Sequence, residues 1–253
     1  MNSRSRIDCF GLQIAGLSTD EILRAIQAND SKRPFWIVTA NPEILLCAKR
    51  DPSYADTLRK AGLRIADGAG LRILGLLRGK RIIRTAGADL AEALVAWAHE
   101  TGQSAGFVGG VPGTAARACA KMAQKYPGLK CFAEQGGIVS LEGKGDDANE
   151  EARHRLTLQA PDILLAAFGH PKQERWIERY VSDFPSLKAV MGVGGTFDYW
   201  AGTVRRAPKW MREIGLEWLY RLIKEPKRLK RIWDAVAVFP WHVIWYTFLK
   251  NDK

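Results

Sequence analysis

The sequence predicts an α/β fold: a Rossmann-like, mostly parallel sheet core over residues 1–200, followed by a helical appendage over residues 201–253. Three observations carry that expectation. Short apolar runs rich in β-branched and aromatic residues alternate with stretches of helical periodicity, the pattern left by parallel strands joined through crossover helices. Nearly every such run ends in glycine or a small polar residue, as strand-end loops do in open sheets. The last fifth of the chain changes character and becomes basic and rich in tryptophan.

In chain order, the strand-like runs are FWIVTAN from residue 35, LRIADGAG from 63, SAGFVGG from 104, LKCFAEQGG from 129, DILLAAFG from 162 and LKAVMGVGG from 187. Ser18 or Thr19 is placed to cap the helix DEILRAIQAN. ADLAEALVAWAHE and GTAARACAKMAQKY carry apolar residues at helical spacing, and Pro171 suits the first turn of PKQERWIERYVSDF, where its missing N–H costs nothing. The polar stretch SLEGKGDDANEEARHR, 140–155, is expected to begin as a loop. There is no internal repeat.

With 253 residues, 47% of them hydrophobic, the chain can bury a full core, which argues against disorder. It carries 38 Lys and Arg against 27 Asp and Glu, a net charge of +11 that points to an anionic partner. Cys9, Cys47, Cys119 and Cys131 are widely spaced and form no C-x-x-C pair. That argues against a zinc site or a disulfide framework and fits a reduced, cytoplasmic setting. The N-terminus MNSRSRIDCFGLQIAG lacks the apolar core and cleavage site of a signal peptide, so export is not expected.

Glycines and small polar residues after parallel strands place backbone N–H groups and helix N-termini around one cleft, which suits phosphate. For any single glycine the alternative is a tight turn. Asp67, in ADGAGL, is either a general base or ribose contact at a strand end, or the N-cap of the helix that follows. Thr39 and Asn41, in TANPEIL, sit at the end of the preceding strand, with Asn41 either a pocket residue or the cap of a helix begun by Pro42. GGVPGTAAR, with Gly109, resembles a phosphate loop loosely, lacking the Walker lysine and a full G-x-G-x-x-G. In FGHPKQERW, Gly169 precedes His170, Lys172, Gln173 and Glu174 in a helix's first turn: Lys172 is placed for a phosphate and Gln173 for a base or sugar, or both simply face solvent. GVGGTFD offers Gly194 and Gly195. No D-x-D motif and no His/Cys/Asp cluster has metal-ligand spacing, so neither metal nor cofactor is expected; Asp146-Asp147 reads as solvated. Arginine and lysine would then offset any diphosphate charge.

The appendage interleaves cations with aromatics. Arg205, Arg206, Lys209, Arg212, Arg221, Arg228 and Arg231 alternate with Trp210, Trp218, Tyr220 and Trp233. No nucleic-acid-binding motif accompanies them, so nucleic acid is not an expected partner. AVAVFPWHVIWYTFL is too short for a comfortable transmembrane helix and reads as interfacial. Basic residues followed by tryptophans suit a membrane-binding appendage lying on an anionic inner leaflet. The alternative is that these aromatics pack on the core.

Taken together, TANPEIL, ADGAGL, GADL, GGVPG, GHPKQE, GVGGTFDYWAG, RRAPKW and EWLYRLIKEPKRLKR resemble the WecG/TagA/CpsF family of bacterial glycosyltransferases, over about residues 10 to 232. The resemblance implies metal-independent, inverting transfer of a hexose-type sugar (hexose, N-acetylhexosamine or uronic acid) from a UDP-sugar to a polyprenyl-diphosphate-linked saccharide, for surface polysaccharide or cell-wall polymer. It implies Asp67 as catalytic base, with Thr39, Asn41, Gln173 and Arg84 in the pocket. Arg212, Arg221, Arg228 and Arg231 would reach the diphosphate when the appendage closes. The family usually has Glu-Arg where this chain has Ile83-Arg84. The expected setting is cytoplasmic, peripheral on the inner face of the cytoplasmic membrane, and compatible with a homo-oligomer. The rival from another class is a non-catalytic, nucleotide-binding peripheral membrane module.

Overall fold

The computed structural model describes residues 5–31, 33–213, 216–224, 229 and 233–248. Its sheet has eight strands: β1 (Arg6–Cys9), β2 (Leu12–Ala15), β3 (Phe35–Ala40), β4 (Leu63–Ala66), β5 (Ser104–Gly109), β6 (Lys130–Glu134), β7 (Ile163–Ala167) and β8 (Ala189–Gly192). They lie in the order β1-β2-β4-β3-β8-β7-β5-β6. Every pairing is parallel except the β1–β2 hairpin at one edge. All six strand-like runs of the sequence are strands, and the fold is α/β and Rossmann-like. The hairpin is an addition: β1 and β2 turn through Phe10 and Gly11, both at positive φ, with the Asp8 carboxylate accepting from the Gly11 N–H at 3.1 Å.

Helices cover both faces. One side carries α1 (Thr19–Gln27), α5 (Gly87–Glu100), α6 (Thr114–Lys125) and α9 (Thr196–Trp200). The other carries α2 (Pro42–Arg50), α3 (Pro52–Arg59), α4 (Ala69–Leu77), α7 (Asp147–Gln159) and α8 (Lys172–Tyr180). Strands β5, β7 and β8 are buried throughout, as strands sandwiched between helix layers must be, and their sequences are correspondingly apolar save for Ser104, whose hydroxyl donates to Asp162 at 2.9 Å. Ser18 caps α1 in a capping box with Glu21. The 140–155 stretch begins as a loop and then forms α7, and Asp146, expected to be merely solvated, accepts from the Asn149 N–H at 2.9 Å as its N-cap.

Two cysteines depart from expectation. Cys119 of α6 and Cys131 of β6 form a disulfide, their Cα atoms 5.9 Å apart, because the short turn after α6 brings β6 back against it. The other two cysteines are free.

Beyond the core come α10 (Lys209–Glu213), α11 (Glu217–Lys224), a π-helical turn (Asp234–Val238) and α12 (Phe239–Phe248). The last two pack on α2 and α4. Phe239 and Val243 are buried in the core cluster of that face, and Arg50 meets Asp234 at 3.1 Å, while Trp233 and Trp241 remain exposed. The aromatic stretch is therefore divided between core packing and exposed surface. Burying a side chain such as Phe239 contributes about 1.5–3 kcal/mol to that attachment. Among the described residues no helix is long and apolar enough to cross a membrane.

Candidate active site

Because β3, β4, β5, β7 and β8 are parallel, their carboxyl ends open on one edge of the sheet, which gathers Asn41, Asp67, Gly109, Gly169 and Gly194 there. Asp67 follows β4 directly. Its N–H donates to the Ala40 carbonyl at 2.8 Å, which fixes the backbone, and its Oδ2 accepts from the Gly87 N–H at 3.1 Å. Gly87 opens α5, so the carboxylate sits at a helix N-terminus, where the backbone dipoles favour negative charge. Close approach favours glycine at this point: a Cβ on Gly87 would stand 3.2 Å from Thr39 Cγ2 and 3.4 Å from Asp67 Oδ2. Thr39, nearly buried, is thereby part of the same small assembly. Asp67 does not cap α4, whose N-cap is Gly68 and lacks a side-chain hydrogen bond.

Arg84 faces Asp67. Its Nε lies 3.8 Å from Asp67 Oδ1, its Nη2 lies 3.8 Å from Glu217 Oε2, and its Nη1 donates to the Arg212 carbonyl at 2.7 Å. Arg206 adds a contact to Glu217 at 3.6 Å, and both Arg206 and Arg212 donate to Asp89 of α5, the latter at 3.2 Å. Arg206, Arg212 and Glu217 are thus tied to Arg84 and Asp89, with Arg84 itself beside Asp67. Four of the guanidinium nitrogens are buried with no hydrogen-bond partner among the described residues: Arg84 Nε, Arg206 Nε and Nη2, and Arg212 Nε. The ion pairs at 3.6–3.8 Å offset charge without satisfying these donors. Buried N–H groups of this kind are what an anionic ligand would satisfy.

Several residues singled out in the sequence have structural duties. Asn41 caps α2, its Oδ1 accepting from the Ile44 N–H at 2.9 Å. Gln173 is buried beneath the loop after β8: its Oε1 accepts from the Gly194 N–H at 3.0 Å and its Nε2 donates to Glu174 at 2.8 Å. That departs from a solvent-facing helix start, and it holds the Gly194 loop in place. Gly192 permits this packing, since a Cβ there would stand 2.5 Å from Gln173 Nε2. Gly109 packs under Phe168, whose ring would be 2.8 Å from an added Cβ, rather than opening on the cleft. Gly169 and Gly194 do face open space, and Gly195 begins α9. Lys172 is half-buried at the start of α8. Arg221 lies on α11, while Arg228 and Arg231 fall outside the described residues.

Glu174 extends the Gln173 relay inward, accepting from the Tyr54 hydroxyl at 2.9 Å. Burial pushes its carboxyl above the ordinary carboxylate range. In the unfolded chain such a group ionises near about pH 4.3, so as the pH rises past that value unfolding releases a proton that the native state retains. Its contribution to stability is therefore complete below that pH and is lost as the pH rises through the native value. Glu174→Gln is expected to remove this dependence: between about pH 4 and pH 7 the urea midpoint of the variant should gain on the wild type. A gap constant across that range would mean that Glu174 titrates alike in both states.

Beside Arg84 lies a groove of about 780 Å³, formed by α4, residues 81–86 and α10. Arg72, Arg81, Lys209 and Arg212 join Arg84 along it, with Leu76 and Ile83 as its apolar part. Asp89, Glu217 and the groove arginines Arg72 and Arg81 were not identified as site residues from sequence. The GADL segment that carries Asp89 and the EWLYR segment that opens with Glu217 were the local signals. Among the described residues no group of three His, Cys, Asp or Glu is placed to hold a metal ion.

Comparisons with known proteins cover almost the whole chain. An N-acetylglucosaminyldiphosphoundecaprenol N-acetyl-beta-D-mannosaminyltransferase of Staphylococcus aureus (strain MRSA252) is 30% identical over 246 residues, 96% of this chain and 93% of that protein. Its counterpart from strain MW2 is 29% identical over the same shares. Residues 7–253 match the Glycosyl transferase WecG/TagA/CpsF family, and the chain, an α/β protein with an acid and clustered arginines at its strand ends, belongs to that family of glycosyltransferases.

Proposed function

We propose that this glycosyltransferase moves a hexose-type sugar, of the N-acetylmannosamine class named for its relatives, from a UDP-sugar to an N-acetylglucosamine carried on polyprenyl diphosphate. The observation that carries the reading is the pairing of Asp67, held by the Gly87 N–H, with the guanidinium of Arg84. Asp67 takes the proton of the acceptor hydroxyl. The hydroxyl oxygen attacks the anomeric carbon from the face opposite the leaving group, the bond from that carbon to the phosphate oxygen breaks, and UDP departs with the electron pair. One displacement inverts the anomeric centre. Negative charge grows on the diphosphate as the bond breaks, and Arg84, the unsatisfied N–H groups of Arg206 and Arg212, and the backbone at Gly169 are the groups that would meet it.

The division of the chain into a core over 1–200 and an appendage over 201–253 gains a purpose in this reading. The donor is water-soluble and the acceptor membrane-embedded, so exposed Trp210, Trp233 and Trp241 would hold the chain peripherally on the inner leaflet. The test is mass spectrometry of products from UDP-N-acetylmannosamine and a farnesyl-diphosphate-linked N-acetylglucosamine, with sedimentation on anionic liposomes alongside. A disaccharide product of one added sugar is expected. Truncation before Pro226 is expected to abolish sedimentation. Absence of product from every UDP-sugar tried would overturn the transfer, and unchanged sedimentation would overturn the anchoring.

A further inference from the structure

Helix α4 is apolar on an exposed side as well as on its buried one, which the core alone does not require. Leu71 and Leu74 are fully buried against the sheet, yet Ile73, Leu76 and Leu77, spaced i, i+3 and i+4, form a second apolar face that is exposed, Leu76 by 71%. The one charge on this helix, Arg72, borders that face on the groove side, and across the groove stand Arg81 and Ile83. Arg72 and Arg81 are exposed and have no hydrogen bond or ion pair among the described residues. They are therefore not needed to offset carboxylates of the fold. Cations beside an exposed apolar strip complement an amphiphile with an anionic head, and unlike a plain membrane-facing surface these side chains line a concave groove that Arg84 also lines.

The direction of α4 supplies a ruler. The helix starts two residues after Asp67, and at about 1.5 Å per residue it carries Arg72 roughly 4–5 Å, and Leu76 roughly 10 Å, beyond its first residue. Moving away from Asp67 along α4, the chain thus presents a proton acceptor, then the cation Arg72, then the apolar surface at Leu76. A lipid-linked saccharide acceptor presents its reacting hydroxyl, then a diphosphate, then isoprene units in that same order. We propose that the groove between α4 and residues 81–86 is the seat of the acceptor's isoprenoid diphosphate, with Arg72 and Arg81 on the diphosphate and Leu76 against the first isoprene units. Ile73 and Leu77, on the outer side of α4, would then rest in the leaflet from which the chain rises. The assignment rests on the transferase reading above, and it places the acceptor lipid on α4 as well as on the appendage. Ile83 also has a consequence here: a carboxylate at that position would oppose the diphosphate, whereas isoleucine brings no negative charge to the groove.

The experiment measures binding of farnesyl diphosphate to the full chain by titration calorimetry, with UDP saturating so that the donor side is occupied. Acceptor KM in the transfer assay is measured in parallel. Arg72→Gln combined with Arg81→Gln is expected to weaken farnesyl diphosphate about tenfold or more, since two charge-assisted contacts are lost, and to raise acceptor KM by a similar factor while UDP affinity is unchanged. Leu76→Ser is expected to weaken farnesyl diphosphate without affecting its soluble analogue methyl diphosphate. All three side chains are exposed, so these variants should fold, and unchanged circular dichroism would establish it. Equal affinity for farnesyl diphosphate in the wild type and all variants overturns the assignment. So does a loss confined to sedimentation on phosphatidylglycerol vesicles, which would make the strip a general membrane contact. Wild-type binding that depends on Arg72 and Arg81, but with no sugar transferred, would refute the transferase reading and uphold the groove.

Discussion

Asp67→Asn is expected to lower turnover by about two to four orders of magnitude, the usual contribution of a positioned general base, while leaving the fold and UDP affinity intact. Asparagine retains an oxygen for the Gly87 N–H, so the start of α5 and its contact with Thr39 should survive the change. What is lost is the capacity to take a proton and the negative charge facing Arg84. The two effects separate by measurement. Loss of the base lowers kcat alone, whereas a merely structural loss would lower the thermal midpoint and weaken UDP as well. Turnover within tenfold of the wild type would remove Asp67 from the role of base and move attention to Glu217, the other carboxylate within reach of Arg84.

The sequence announced Asp67 for a simple physical reason. A carboxylate followed by glycine at the end of a buried parallel strand lies where ligands bind, whichever helix surrounds it. It did not announce the partner. Gly87 is twenty residues away and reaches Asp67 only because the chain crosses from β4 to the opposite face and starts α5 beneath the strand ends. Asp89 and Glu217 were hidden for the same reason, since each acquires meaning from guanidinium groups more than a hundred residues distant or brought in by the appendage. The disulfide escaped because widely spaced cysteines give no pattern until β6 lies against α6. In the β1–β2 hairpin, two runs of four residues are too short for alternation to stand out, and the turn signal is a single glycine. Gln173 illustrates the opposite hazard. A polar cluster at a helix start suggests solvent or ligand, whereas the bulk of α8 turns Gln173 and Glu174 into the core, where Tyr54 and Gly194 satisfy them.

Arg84→Gln is expected to lower kcat by about two to three orders of magnitude, comparable to removing a preorganised donor from a developing anion. Arg84 is held from three sides, by Asp67, Glu217 and the Arg212 carbonyl, and its Nε remains buried without a hydrogen bond. A guanidinium so restrained needs little reorganisation when a diphosphate gains charge nearby, which is the condition under which electrostatic stabilisation acts on the rate rather than on binding. Arg84→Lys distinguishes charge from geometry. Lysine keeps the charge but cannot contact Asp67, Glu217 and the Arg212 carbonyl together, so it is expected to recover at most about tenfold of the loss. The same contacts tie the appendage to the core, and that predicts a second phenotype: both variants should become more sensitive to limited proteolysis between residues 201 and 217, and saturating UDP should restore protection in the lysine variant more fully than in the glutamine variant. A loss of kcat in Arg84→Gln without any change in proteolysis would assign Arg84 to the leaving group alone; altered proteolysis with kcat near the wild type would assign it to closure of the appendage alone and remove it from the chemistry.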